Sequence, residues 1–412
     1  MQINASRLWQ SLMDMAKVGA TELGGSSRIA LSDEDVAGRA LLIQWAEQLG
    51  LSIGYDAIGN LFLRREGCED LAPIVMGSHL DTQPKGGRFD GIYGVLAGFE
   101  ILRTLHDYQV PHRHPIEVAV WTNEEGSRFA PAMMGSATFM EKIALADVLA
   151  TKDAQGITVA EELQRTGQRG DLAFKRPFSA YYEAHIEQGP ILEANQREIG
   201  VVTGGQGILW LNVKTVGKAA HAGTTPMAMR HDSMLATANM MSALEEMILS
   251  EFPEALITFG ELNVPHASRN TLPPYITWSI DIRHPDDKVL LQIEQIAEQI
   301  MQQQAKKRGA TVEISRLWLS PAYHFDATSV DNVRLSAIEL GLSQQNIISG
   351  AGHDAFLMSL HCPTAMIFIP CDGGLSHNEA ENISPLQAEH GAKVLFSTIL
   401  KADQQQYLAQ VS

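Results

Sequence analysis

Two short, almost wholly apolar segments bracket a longer one of helical spacing, and this pattern limits the fold more than any other feature of the chain. APIVMGSH (72–79) and IEVAVWTNEE (116–125) are β-rich and apolar at successive positions, as strands buried on both faces are. Between them, GIYGVLAGFEILRTLHDY (91–108) repeats its apolar residues as a helix does. Strand, helix and strand at these lengths predict a βαβ unit, hence an α/β layered domain with a mostly parallel sheet. LSIGYDAIGNLFLRR (51–65) predicts a hairpin with Gly59 and Asn60 near its turn.

The middle of the chain follows another pattern. ILWLNVKTVG (208–217) alternates like a half-buried strand, and HDSMLATANMMSALEEMILSEF (231–252) predicts a long helix. ALITFGELNV (255–264) and YITWSIDIRH (275–284) predict two strands. DDKVLLQIEQIAEQIMQQQAKKRG (286–309) predicts a helix, with acids at its start and Lys-Lys-Arg-Gly at its end to match the macrodipole and C-cap. TVEISRLWLS (311–320) is a last strand. The order β-α-β-β-α-β predicts a ferredoxin-like α+β unit over 207–320, inserted into an α/β domain made of 1–206 and 321–412. A length of 412 residues agrees with two domains.

With 45% hydrophobic and 19% charged residues the composition is that of a globular protein, not a disordered one. The net charge of −17, from 31 basic and 48 acidic residues, argues against nucleic acid or an anionic membrane as a partner. A small anionic substrate would need a local Arg or Lys to overcome this field. The three cysteines are scattered without a CxxC, so neither a disulfide framework nor a cysteine zinc site is expected. The first twenty residues have helical spacing interrupted by Asp14 and Lys17, unlike a secretory signal. No apolar run approaches the ~20 residues that span a bilayer, and a cytoplasmic location is expected.

Five motifs place a His or a carboxylate where an apolar strand gives way to a Gly-rich turn: GSHLDTQ (77–83), GGRFDGIYG (86–94), NEEG (123–126), EAHIEQG (183–189) and GLSHNEAE (374–381). Such strand ends are where α/β folds gather their active sites. His79 and Asp81, two apart on a strand, share a face, so the Asp81 carboxylate is placed to orient a metal-bound imidazole. Each motif by itself has a plainer reading: a satisfied core histidine, an N-cap at Asp90, a solvated turn at Glu124 and Glu125. Together, three histidines and several acids without cysteine suit two divalent ions, zinc above manganese or cobalt, in a hydrolytic site. No HExxH, GxSxG or P-loop competes with that reading.

GSHLDTQPKGGRFDG, WTNEEGSRFAP, EAHIEQGP, AHAGTTP, SGAGHDA and GLSHNEAE together resemble the di-zinc amidohydrolases of the aminoacylase–carboxypeptidase clan. Within it the chain is most similar to N-carbamoyl-L-amino acid hydrolases and β-ureidopropionases, with allantoate amidohydrolase a near cousin, from about residue 50 to about residue 395. The resemblance implies that His79, Asp90, Glu125, His185 and His377 are metal ligands, with Asp90 bridging, and that Glu124 is the general base, Asp81 standing beside it in the catalytic set. It makes the inserted unit a lid and homodimerisation domain. There His221 would steady the oxyanion in the partner's site, and Asn270 and Arg283 would bind substrate, Arg283 clamping a carboxylate. Gln188 and His353 would be further substrate contacts. The chain departs from the family at NTLPPY, where Pro274 stands in place of the usual glycine and bears on the turn after Asn270.

The expected reaction is hydrolysis of the ureido amide of an N-carbamoyl L-α-amino acid or of N-carbamoyl-β-alanine to amino acid, carbon dioxide and ammonia. Allantoate hydrolysis uses the same site. A binding protein on a dead hydrolase scaffold would show a broken ligand set, and here every ligand position matches the motif.

Overall fold

A computed structural model of the chain describes residues 1–265 and 267–405. The described residues form two compact units, one of Met1–Gly204 with His324 onward and one of Gly205–Tyr323.

The first unit is built on a mixed sheet. Its strands run in the order Ser52–Tyr55, Leu61–Arg65, Ile116–Trp121, Ile74–His79, Ala180–Ile186, Thr364–Ile369 and Ile199–Gly205, and Gln344–Ser349 pairs with the last. The centre is parallel: Ile74–His79 lies between Ile116–Trp121 and Ala180–Ile186, which in turn pairs in parallel with Thr364–Ile369. The hairpin and Ile199–Gly205 flank it in antiparallel pairings. All residues of the two strands that bracket the helical segment are buried, which is why their sequence runs apolar without alternation.

The helix Ile92–Asp107 completes the βαβ unit and packs on Ile74–His79. Pro385–Gln404 packs beside it, started by a capping box in which Gln387 N donates to Ser384 Oγ at 3.2 Å and Ser384 N donates to Gln387 Oε1 at 2.6 Å. The parallel strands Ile74–His79, Ile116–Trp121 and Ala180–Ile186 therefore end on one edge, and the loops that follow them come together there.

The second unit has a larger antiparallel sheet, ordered Leu262–Asn263, Tyr275–His284, Gly207–Val216 and Thr311–Ser320, with Leu256–Thr258 also on Tyr275–His284, and a separate two-stranded pairing of Ala220–His221 with Thr271–Leu272. The sequence of elements is strand, helix, strands, helix, strand. Asp232 caps Ser233–Glu251 and Asp286 caps Asp287–Lys307, each carboxylate accepting backbone N–H groups of the first turn. These helices bury Met240, Leu244, Ile293 and Ala297 against Leu209, Leu211, Ile280 and Ile282, leaving alternate strand residues facing outward. ALITFGELNV differs from the single strand expected of it. It makes two short strands of Leu256–Thr258 and Leu262–Asn263, interrupted at Phe259-Gly260-Glu261, and both pair with the same neighbour.

Among the described residues no helix is long and apolar enough to cross a membrane.

Candidate metal centre

Asp90 organises the edge where the parallel strands end. It precedes Gly91, whose φ of +70° turns the chain into the helix, and a Cβ at Gly91 would lie 2.4 Å from the His79 ring. Only glycine lets the backbone pass so close to the imidazole. Asp90 caps nothing with its side chain. Instead its two oxygens face different partners. Oδ1 is 3.2 Å from His185 Nε2 and 3.8 Å from His79 Nε2, while Oδ2 is 3.4 Å from His377 Nε2.

Two donor triads result, His79–Asp90–His185 and Asp90–Glu125–His377, with ligand atoms within 4.8 Å of one another in each. Asp90 belongs to both. His377 Nε2 lies 3.3 Å from Glu125 Oε2, and His79 Nε2 lies 3.4 Å from Glu124 Oε2. His79, Asp90, Glu124 and His185 are buried, whereas the His377 side chain is 53% exposed and marks the open side. A cavity of about 160 Å³ opens onto these groups and is also lined by Met133, Gln188 and His353.

The main chain aims these side chains. His79 Nδ1 bonds the backbone oxygen of Asp81 at 2.8 Å, and His185 Nδ1 bonds that of Ile186 at 2.9 Å, leaving both Nε2 atoms toward Asp90. The expectation that the Asp81 carboxylate orients His79 is therefore corrected. It lies 3.9 Å from the ring and instead accepts the N–H groups of Glu124 at 3.3 Å and Glu125 at 3.2 Å. The strand ends at His79, and the Asp81 carbonyl, not its side chain, meets the imidazole. Asn123, Gln188 and His377 hold φ of 55°, 56° and 52°, left-handed backbone that side chains adopt at a cost and that clusters at functional sites.

Burial, with the charges of Asp354, Glu125, Asp81 and Asp90, raises the Glu124 carboxyl well above the usual range. Burial, with Asp90 and Asp81, pushes Glu125 up to about 9. Asp81 rises to about 7 through burial and the charge of Asp35. Burial would raise Asp90 too, but the hydrogen bond and charge of His185 pull it well below the ordinary carboxylate value. His79 falls to about 4 through burial, and His185 rises to about 8 because Asp90 outweighs burial. So many carboxylates cannot ionise side by side unless cations neutralise them. Nitrogen and oxygen donors in two triads that share one carboxylate fit a pair of divalent ions, with His79, His185 and Asp90 holding one and Glu125, His377 and Asp90 the other.

Gln188 donates from Nε2 to Asp90 Oδ2 at 2.8 Å, and its buried Oε1 has no protein partner among the described residues. His353 is buried, edge-on to His185 with ring centroids 4.6 Å apart. His221 and Asn270 lie in the second unit, together: Ala220–His221 pairs with Thr271–Leu272, and Ala222 N donates to the Asn270 carbonyl at 2.8 Å. The Pro273-Pro274 step leads directly into Tyr275–His284, the Pro274 carbonyl accepting Gly217 N at 2.8 Å. Arg283 stands on that strand and bonds Asp281 Oδ2 through Nη2 at 2.9 Å.

Two buried acids escaped the motif reading. Glu183 accepts Ser78 Oγ at 2.7 Å, Tyr181 OH at 3.1 Å and Ala355 N at 3.1 Å, tying together the elements that carry His79, His185 and His353. Glu381 accepts Phe89 N at 2.9 Å, Asp90 N at 3.1 Å and Ser376 Oγ at 3.2 Å, joining the Asp90 and His377 loops. Both acids stand inside quoted motifs, at spacings two before His185 and four after His377. Half of their partners are main-chain N–H groups and half are hydroxyls, and no motif spells out either kind.

Fold and donor set together define a hydrolase-type, two-metal candidate centre on the edge of an α/β sheet. Residues 75–401 match peptidase family M20/M25/M40, and the chain belongs to that family. It is 45% identical to an N-carbamoyl-L-amino-acid amidohydrolase of Rhizobium meliloti, with 97% of each chain covered. A crystal structure of an amidase of the hydantoinase/carbamoylase family from Burkholderia multivorans superposes with a TM-score of 0.95 at 44% identity, covering 98% of this chain and 99% of that one. A ureidoglycolate hydrolase of Arabidopsis thaliana is 31% identical over 97% of this chain and 87% of its own length.

Proposed function

We propose that the chain hydrolyses the ureido amide of N-carbamoyl L-amino acids, releasing amino acid, carbon dioxide and ammonia. The observation that carries this reading is the Asp90 carboxylate shared between two donor triads, with the unshared carboxylate of Glu124 at its side. Full-length similarity to an N-carbamoyl-L-amino-acid amidohydrolase supports the substrate class.

Two bound divalent ions, zinc in this reading, would supply Lewis acidity that acidifies water and polarises the carbamoyl carbonyl. Asp90, Glu125 and the three histidines would hold these ions. Glu124, one residue from a ligand but turned to the other triad, takes a proton from the attacking water and delivers it to the leaving nitrogen. Gln188 presents Oε1 to a ureido N–H, and His353 closes the buried side of the cavity. The second unit acts as lid and homodimer surface. There Arg283 exchanges Asp281 for the substrate carboxylate, Asn270 adds a polar contact, and His221 donates to the oxyanion of the partner's site.

Ammonia release from metal-loaded protein, given N-carbamoyl-L-amino acids, N-carbamoyl-β-alanine, allantoate and ureidoglycolate in parallel, tests the reading. Chelator-sensitive turnover of a carbamoyl L-amino acid supports it. Turnover of allantoate or ureidoglycolate alone would assign the same centre to another ureido substrate.

A further inference from the structure

The loop that carries His221 is closed on itself in a way that sets which imidazole nitrogen holds the proton. His221 Nδ1 accepts two backbone N–H groups, Gly223 at 3.0 Å and Thr224 at 3.2 Å. The His221 carbonyl accepts Thr225 N at 3.2 Å, so residues 221–225 curl around the ring. A nitrogen that accepts N–H bonds has its lone pair engaged and carries no proton of its own. The neutral ring therefore bears its hydrogen on Nε2, the atom turned away from the loop.

A single side chain holds the curl shut. Arg230, just past the short turn Met227–Met229, donates from Nη2 to the Ala222 carbonyl at 2.6 Å and from Nε to the Thr225 carbonyl at 3.0 Å. These two carbonyls flank the two N–H groups that bind Nδ1. A planar guanidinium spans both with fixed geometry, and an ammonium reaches one. The other side of the loop is pinned by the pairing of His221 with Thr271 and by Ala222 N on the Asn270 carbonyl.

We propose that Arg230 is a positioning residue that keeps His221 Nδ1 turned into the loop as an acceptor and Nε2–H turned outward, so that His221 serves the reaction as a hydrogen-bond donor through Nε2. The proposal rests on the reading of His221 as the donor to the oxyanion. It goes further by assigning the tautomer and the residue that fixes it.

The test combines turnover, metal content and histidine ¹⁵N spectra of the metal-loaded, full-length enzyme. His221→Ala is expected to lose about 10²-fold in kcat, as loss of one oxyanion donor does. His221→Gln, whose amide N–H stands where Nε2–H was, should retain more activity than His221→Asn. Arg230→Ala should lose roughly 10-fold in kcat at unchanged metal content, an intermediate share of that donor's worth. Arg230→Lys should fall between it and the parent enzyme. The spectra should show Nε2–H in the parent enzyme and a mixed population in Arg230→Ala. An Nδ1–H tautomer in the parent enzyme overturns the proposal without any variant having to fold. Unchanged kcat in Arg230→Ala beside a crippled His221→Ala also overturns it. Unchanged kcat in His221→Ala removes instead the oxyanion reading beneath it.

Discussion

Glu124 and Glu125 are consecutive, yet their carboxylates reach different histidines: Glu124 Oε2 lies 3.4 Å from His79 Nε2 and Glu125 Oε2 lies 3.3 Å from His377 Nε2. The divergence is fixed beneath them, where the two oxygens of Asp81 accept their two N–H groups. In the proposed mechanism one of the pair then belongs to a triad and the other is left for proton transfer.

The shared position of Asp90 predicts unequal metal losses. Asp90→Ala should strip both ions, whereas His377→Ala should leave about one per chain, because the His79–His185 side keeps its donors. Elemental analysis after dialysis measures this directly, and equal loss in both variants would contradict the sharing.

Metal binding should release protons, from His185, which Asp90 raises to about 8, as well as from Glu125. Glu125, pushed up to about 9 by burial and by Asp90 and Asp81, is protonated in the metal-free protein at neutral pH and must ionise to bind. The sign follows: apparent affinity rises with pH while the free protein still holds that proton, and levels off above about 9. Calorimetry in buffers of different ionisation enthalpy reports the protons released, and a pH-independent affinity between neutral pH and that point would exclude the mechanism.

Glu183→Ala should cost roughly 2–4 kcal/mol of stability, since it orphans buried donors that each carry a desolvation penalty. Glu183→Gln keeps a carbonyl for Ala355 N and should recover most of the loss. Denaturant midpoints at constant m-value decide this, and a near-neutral Glu183→Ala would mean that the linked loops do not depend on it.

Arg283→Ala should raise KM for a carbamoyl amino acid about 10- to 100-fold, the worth of a charge-assisted hydrogen bond, with a smaller change in kcat. Steady-state kinetics with a substrate amide in place of the carboxylate provides the control. Equal losses on both substrates would place Arg283 elsewhere in the mechanism.

Much of the first unit was legible because burial on both faces writes itself into sequence as apolar runs, and each of those runs ends in a motif. The βαβ unit, the hairpin and the strand-end positions of His79, Glu124, Glu125 and His185 follow from that pattern. Asp81 was misread because period-two spacing assumes the strand continues, and here the strand ends at His79 and the Asp81 carbonyl takes the expected place. Glu183 and Glu381 were overlooked because their work is done on Ser78, Ala355, Phe89 and Asp90, groups brought near only by the sheet. The interruption at Phe259-Gly260-Glu261 was hidden by apolar residues that continue across it.

The division of labour between the two adjacent glutamates is tested most directly by Glu124→Gln, in which only a proton acceptor is lost. The variant should retain about two divalent ions per chain and lose at least ~10²-fold in kcat toward a carbamoyl amino acid. Turnover at the parent rate with both ions bound would contradict the assignment of Glu124 as the base.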